Sequence, residues 1–157
     1  MLTLRAARPG DAPLVLGFIN SLAEYEKLAH EVVAEVSDIE AALFGDHPRA
    51  FCEIAEWDGE PAGFALWFYN FSTFHGRHGL YLEDLFVKPE HRGRGVGRAL
   101  LQRLAQRCRD EGLRRLEWWV LDWNTPSIDF YKSLGARPMD EWTVFRAEGE
   151  ALAKLAG

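Results

Sequence analysis

The sequence has little cysteine and no histidine pattern typical of a metal site. Its two cysteines, Cys52 and Cys108, lie far apart and form no CxxC motif. We interpret both as reduced structural thiols, because free cysteine is commonly buried. His75 and His78 are close together, but no cysteine or third ligand accompanies them. We therefore predict that they form a solvated loop pair and that the protein binds no metal.

Long apolar runs and a surplus of positive charge are also missing. No apolar run approaches the ~20 residues that cross a bilayer, and the first residues lack the charged start and apolar stretch of a signal peptide. We therefore expect a cytoplasmic protein without a membrane partner. The 24 acidic residues outnumber the 18 basic ones and give a net charge of −6. This balance argues against nucleic acid as a partner and permits a small cationic ligand.

The composition that remains is typical of a folded domain. A hydrophobic content of 48% and an aromatic content of 13% argue against disorder. No repeat or linker divides the chain, so we predict a single domain over residues 1–157. Hydrophobic periodicity and turn signals then predict the order of its strands and helices.

Strands are predicted at 3–7, 50–57, 61–71, 80–87, 113–121, 137–139 and 143–147. Helices are predicted at 11–28, 37–44, 98–111, 125–134 and 151–155, with Asp11 and Ser37 as N-caps and Gly45 ending the second. This order predicts a mixed α/β (α+β) fold around one mostly antiparallel sheet. The strands at 80–87 and 113–121 should form one parallel, right-handed βαβ unit with the helix between them.

The most informative segment is 80–101, LYLEDLFVKPEHRGRGVGRALL. Adjacent carboxylates, Glu83 and Asp84, precede a proline turn, a basic glycine-rich loop and a helix start. Unpaired N–H groups and the helix dipole make such a loop an anion site, which indicates a phosphorylated cofactor. The alternatives are an ATP-binding P-loop, whose Lys-Ser/Thr pair is missing, a Rossmann loop, which follows the first strand of a parallel sheet, and a structural turn.

Two motifs together resemble the GNAT superfamily of N-acetyltransferases. Arg92, Gly95 and Gly97 fill the pattern Arg/Gln-x-x-Gly-x-Gly/Ala. The segment 122–132, DWNTPSIDFYK, matches the second hallmark, an Asn at a strand end with a Tyr on the following helix. The segments LAEYE, FGDHP, YLEDLFV and WNTPSIDFYK are similar to the diamine (spermidine/spermine) acetyltransferase family, which includes thialysine acetyltransferases. The resemblance implies a GNAT fold whose parallel βαβ unit carries the acetyl-CoA loop.

The same resemblance implies acetyl-CoA as the co-substrate. Loop glycines keep side chains away from the backbone amides that would hold its diphosphate, and the arginines add charge complementarity. Tyr131 would act as general acid toward the CoA thiolate, although a helical tyrosine beside Phe130 is also typical of a packed core. The implied cofactor-binding residues are Leu85, Phe86, Val87, Arg92, Gly93, Arg94, Gly95, Val96, Gly97, Arg98, Asn124, Ser127 and Tyr131.

The adjacent carboxylates suit the amine side of such a reaction. An alkyl ammonium group has a pKa of about 10, so it must lose a proton before its nitrogen attacks a thioester. Adjacent strand residues face opposite sides, so only one of Glu83 and Asp84 would reach the amine unless a bulge redirects the other.

By resemblance, Glu83 is the base, and Asp84 binds the substrate or a partner subunit. The alternative is a pair of ordinary solvated strand charges. The implied substrate-binding residues are Tyr25, Glu26, Glu83, Asp84, Trp119 and Trp123, of which the two tryptophans also suit a core or an interface.

These features predict an acetyl-CoA-dependent N-acetyltransferase acting on a primary amine of a small polyamine or diamine. The alternative substrates are thialysine or a related amino acid, and a protein lysine or N-terminus. A non-catalytic acetyl-CoA sensor is an alternative of another class. The resemblance also implies a homodimer to which the C-terminal strands contribute. The segment between Gly135 and Trp142 is shorter than its usual counterpart in the family, so its substrate contacts should differ.

Overall fold

Five strands form one mixed sheet in the order β1-β2-β3-β4-β5. The first four strands pair antiparallel, and β4 pairs parallel with β5. This confirms the predicted fold class. The strands are β1 (Leu2–Ala6), β2 (Phe51–Trp57), β3 (Glu60–Ser72), β4 (Arg77–Val87) and β5 (Leu116–Trp118).

Five α-helices and two short 3₁₀ turns accompany the sheet. The third helix connects β4 to β5 and completes the predicted parallel βαβ unit. The helices are α1 (Ala12–Tyr25), α2 (Val36–Phe44), α3 (Val96–Glu111), α4 (Thr125–Ser133) and α5 (Gly149–Ala156), and the 3₁₀ turns are Ala29–Glu31 and Pro89–His91.

The computed structural model describes residues 1–157 in two compact units. The first, Met1–Trp119, contains the sheet and α1 to α3. The second, Val120–Gly157, contains α4 and α5. That the whole chain is a single domain stays a prediction.

The core of the first unit lies between the sheet and α1. Phe18 of α1 stacks on Phe64 of β3, with ring centroids 5.1 Å apart, and also packs near Phe86 of β4. Ile54 of β2 and Val15 of α1 belong to the same cluster and are fully buried. Burying one such side chain stabilises the fold by roughly 1.5–3 kcal/mol, so this cluster fixes α1 against the sheet.

Three predicted strands differ from the structure. The segment 113–121 contains only the three-residue β5, because it pairs with β4 only at Leu80–Leu82. Neither 137–139 nor 143–147 forms a strand. Strand-like residues need a neighbouring strand to pair with, and the unit Val120–Gly157 contains none. Those two predictions were wrong for the single chain.

Helix ends also differ in detail. Asp11 precedes α1, but its carboxylate accepts the Arg8 N–H at 2.9 Å and makes no bond to the helix itself. The second helix begins after Glu35, so Ser37 lies inside it. Gly45 follows α2 as predicted, although its φ of −72° is not left-handed. Propensity therefore placed each helix start within two residues, and local hydrogen bonds decided which residue caps the helix.

The remaining sequence predictions concern the cysteines, metal sites and membrane-spanning helices. Cys52 and Cys108 are both buried and form no disulfide, which agrees with their interpretation as structural thiols. No group of three or more histidine, cysteine, aspartate or glutamate side chains is arranged to hold a metal ion. None of the helices combines the length and apolar character that crossing a bilayer requires.

Candidate active site

Strand β4 carries a β-bulge at the adjacent carboxylates. Leu66 of β3 pairs with Asp84, and the next residue, Trp67, pairs with Leu82, so Glu83 has no partner on β3. A bulge breaks the alternation of side chains between the two faces of a sheet. The exception to strict alternation therefore occurs at the two predicted carboxylates.

The bulge changes which face each β4 side chain occupies. Before it, Leu82 lies opposite Trp67, whose ring packs under a guanidinium of α3. After it, Phe86 lies opposite Phe64, whose ring packs on α1. Opposed residues of an antiparallel pair share a face, so even-numbered residues face α3 before the bulge and α1 after it. Asp84 consequently lies on the α1 side of the sheet.

Three carboxylates interact electrostatically on this side, and we call Glu26, Glu83 and Asp84 the acidic cluster. Burial, followed by the charges of Glu83 and Glu26, raises the pKa of Asp84 to about 7. Burial and the charge of Glu83 raise the pKa of Glu26 above its ordinary value. Glu26 immediately follows α1, where the helix dipole also disfavours an anion. The cluster is therefore an environment that favours an incoming cation.

Two aromatic rings lie beside the acidic cluster. Burial and the charge of Glu83 raise the pKa of Tyr81, and its ring meets that of Trp119 edge-on at 5.9 Å. Trp119 is 59% exposed, so its ring is accessible to a ligand. Tyr81 was not among the predicted site residues. Its position two residues before Glu83 in YLED was the available signal.

The edge of β4 beyond the bulge has no strand partner. Strand β5 pairs only with Leu80–Leu82, so the backbone of 83–87 is paired with β3 alone. An unpaired edge offers N–H and C=O groups to an extended ligand. The predicted cofactor-binding residues Leu85, Phe86 and Val87 lie on this edge.

The glycine loop, residues 92–98, runs into the N-terminus of α3. Gly95 is the N-cap residue and has φ of 81°, a left-handed conformation that favours glycine. The N–H groups of Val96, Gly97 and Arg98 lie in the first helical turn, where no intrahelical acceptor exists. These amides and the positive end of the helix dipole suit an anion.

Gly97 is not required by packing inside the protein. A Cβ atom there would meet only Val87 Cγ2, at an ordinary contact distance of 3.7 Å. The residue sits in a regular helical turn, where alanine would be more stable. A ligand lying close to the backbone is therefore a better explanation of this glycine than the fold.

The loop arginines differ in their surroundings. Arg92 donates from Nε to the Val87 carbonyl at 2.9 Å, and its guanidinium lies over the Tyr25 and Phe86 rings. Arg94 lies 5.1 Å from the centroid of the Trp57 ring. Arg92, Gly93, Arg94 and Arg98 are all exposed.

The second unit places the remaining predicted residues on or next to α4. Asn124 is 6% exposed and caps the helix, since its Oδ1 accepts the Ser127 N–H at 3.4 Å. This capping role was not predicted. Tyr131 is half-buried with its ring 5.7 Å from that of Phe130, and Trp123 is 47% exposed.

The two units thus gather two groups of predicted residues. The first unit brings together Tyr25, Glu26, Glu83, Asp84, Trp119 and the glycine loop. The second brings Asn124, Ser127 and Tyr131 together on one short helix, with Trp123 immediately before it.

The chain is similar to known proteins over most of its length. Residues 17–136 match the family described as the acetyltransferase (GNAT) family. The thialysine N-epsilon-acetyltransferase of Bos taurus is 41% identical over 165 residues, covering 98% of this chain and 96% of that protein. The spermidine/spermine N(1)-acetyltransferase-like protein 1 of Homo sapiens is 31% identical over 98% of this chain, but over only 23% of its own length. The suspected resemblance is therefore confirmed.

A solved structure has the same fold. The integron cassette protein VCH_CASS6, from the mobile metagenome of V. cholerae, aligns with a TM-score of 0.82 and 27% identity. The alignment covers 99% of this chain and 97% of that one.

Proposed function

The chain belongs to the acetyltransferase (GNAT) family and is an N-acetyltransferase, and from that premise we propose that it transfers acetyl from acetyl-CoA to a primary amine of a small cationic substrate. The observation that carries this proposal is the acidic cluster within the same unit as the glycine loop. One feature suits an ammonium group and the other suits a diphosphate.

Two substrate classes are compatible with this proposal. The similarity to thialysine N-epsilon-acetyltransferases over nearly the whole chain favours an amino-acid amine such as thialysine. The predicted polyamine or diamine is the second candidate, and the three coupled carboxylates favour it because a polyamine carries several positive charges and no carboxylate. The acidic cluster also fits a small polycation at least as well as a protein lysine.

Acetyl-CoA would supply the activated thioester. We assign its phosphates to the amides of the glycine loop and its extended arm to the unpaired edge of β4 and to Asn124, which follows the resemblance. The absence of a second strand partner along that edge and the packing freedom at Gly97 support this assignment. Ser127 is assigned an assisting role through the α4 N-terminus.

The proposed reaction needs one proton removed and one returned. Glu83 accepts a proton from the substrate ammonium, directly or through water, while Asp84 and Glu26 bind the cation with Tyr25, Trp119 and Trp123. The neutral nitrogen then attacks the thioester carbonyl, a C–N bond forms and the C–S bond breaks. Tyr131 donates a proton to the departing thiolate and completes the exchange. The exposed position of Glu83 in the bulge supports its access to substrate.

Turnover with defined amines tests the proposal. Release of the CoA thiol should be measured with thialysine, spermidine, spermine, putrescine, lysine and a histone-like peptide. We expect turnover with thialysine or a polyamine and none with the peptide. Tight binding of acetyl-CoA without turnover of any amine would favour the sensor alternative and contradict the proposal.

We further propose that the protein works as a homodimer in the cytoplasm. The segments 137–139 and 143–147 have strand-like sequences without a strand, and they leave Trp142 71% and Phe145 92% exposed. A second copy of the chain would cover these side chains. Light scattering should give twice the chain mass of 17.9 kDa, and Phe145→Asp should shift it toward the monomer. A wild-type protein that is monomeric at all concentrations tested would contradict the dimer.

A further inference from the structure

Arg92, the first residue of the glycine loop, contacts both β4 and the last residue of α1. Its Nε donates to the Val87 carbonyl at 2.9 Å. The guanidinium carbon lies 5.1 Å from the centroid of the Tyr25 ring and 5.4 Å from that of Phe86. One side chain at the start of the loop is thus packed against rings from two other elements.

Only an arginine makes this set of contacts. The planar guanidinium stacks on aromatic faces while its Nε–H points along the stem, whereas a lysine ammonium offers neither the plane nor that donor. Arg94 makes a comparable contact with Trp57, the last residue of β2. The loop therefore has one arginine that contacts the end of α1 and one that contacts the end of β2.

Tyr25 is the last residue of α1, and Glu26 of the acidic cluster follows it directly. Lys27 then adopts φ of 62°, so the chain turns sharply after Glu26. The contact between Arg92 and Tyr25 consequently joins the glycine loop to the backbone that positions one carboxylate of the cluster.

We propose that Arg92 is a positioning residue that couples occupancy of the glycine loop by CoA to binding of the amine at the acidic cluster. The inference rests on the proposed function. By thermodynamic linkage, if CoA orders the loop and Arg92 orders Tyr25 and Glu26, CoA tightens amine binding, and the amine tightens CoA binding by the same factor.

Calorimetric titration of unreactive complexes tests this coupling. The dissociation constant of spermidine or thialysine, whichever turns over, is measured without and with saturating CoA. We expect a ratio of about fivefold or more in the wild type, at the lower end of typical coupling. Arg92→Lys keeps the charge and should bring the ratio to near one, as should Tyr25→Ala. Tyr25→Phe keeps the ring and should retain the ratio.

Arg94→Lys is the matched control, because it removes a guanidinium–aromatic contact of the same loop that does not involve α1. It should change CoA affinity without changing the ratio. A ratio that persists in Arg92→Lys, or that is one in the wild type, would overturn the proposal. Failure of the wild type to bind CoA at all would instead contradict the proposed function, and the coupling with it. Melting temperatures without ligand show whether each variant is folded.

Discussion

The glycine loop and the acidic cluster attract opposite charges by opposite means. The loop presents backbone N–H groups at the start of α3, and its shape is set by glycine conformations within a few residues. The cluster consists of the side chain that follows α1 and two side chains of β4, which repel one another and are held together by the packing of α1 on the sheet. A phosphate site can thus be built from local sequence, whereas an ammonium site requires tertiary structure and stores an electrostatic cost.

The largest expected effect is that of replacing Glu83, which is assigned to the amine side alone. If the cluster serves the amine alone, Glu83→Gln should lower kcat by about 100- to 10,000-fold at neutral pH and leave the KM of acetyl-CoA unchanged. The defect should shrink as the pH approaches the amine pKa of about 10, because the free amine then needs no base. Steady-state rates between pH 7 and 10 measure this. The exposed Glu60→Gln serves as control, and a defect that is constant across this pH range would reject the base role.

Tyr131 lies outside both regions and sharpens the comparison. Removal of its hydroxyl should impair acetyl transfer without weakening the binding of either substrate. Tyr131→Phe should therefore lower kcat about 100-fold with both KM values nearly constant. Rapid-quench measurement of the acetyl-transfer step checks this. Tyr69→Phe is the matched control, since it removes a hydroxyl that donates to Glu111 rather than one assigned to chemistry. Unchanged transfer in Tyr131→Phe would show that the thiolate leaves without this acid.

The assignment of the glycine loop to acetyl-CoA is tested at Gly97. A methyl group there makes only ordinary contact inside the protein, so Gly97→Ala should fold normally. It should nevertheless raise the KM of acetyl-CoA by about tenfold, or ~1.4 kcal/mol, because the methyl group keeps the diphosphate from the amides. Gly17→Ala, also in a helix and with open space around it, is the control. An unaltered KM would remove the α3 N-terminus from the cofactor site.

The last expected effect concerns stability instead of turnover, and it comes from the electrostatic cost of the acidic cluster. Because the folded-state pKa of Asp84 is raised from 3.8 to about 7, its ionisation destabilises the native protein as pH rises through that interval. Asp84→Asn should therefore be more stable than the wild type at pH 8, by roughly 1–3 kcal/mol, and equally stable near pH 4. Urea unfolding at both pH values measures the difference. Asp129→Asn, at an exposed site on α4, should show no such divergence.

The difference between the two regions also explains what the sequence could predict. The glycine loop depends on residues a few positions apart, and it leads into a helix as predicted. The bulge at Glu83 depends on the register of β4 against β3, which no local pattern reveals. Motif spacing identified both carboxylates, but only strand pairing shows that Asp84 lies on the face of α1.

Longer-range packing accounts for the other differences. The contact of Arg92 with Tyr25 joins residues far apart in the chain, so the arginine was predicted only from its charge and motif. The strands predicted at 137–139 and 143–147 have suitable residues but no partner strand within their unit. In each case the sequence identified the residue but did not show which residue lies next to it in the folded chain.

The separation of the two binding functions is tested most directly by crossed steady-state kinetics of Glu83→Gln, Gly97→Ala and the double variant, with both substrates varied. The account predicts that Gly97→Ala raises only the KM of acetyl-CoA and that Glu83→Gln lowers kcat without affecting it. The double variant should show the product of the two effects, because the sites act on different substrates. If both single variants instead altered the same kinetic constant, the assignment of the loop to acetyl-CoA and of the cluster to the amine would be contradicted.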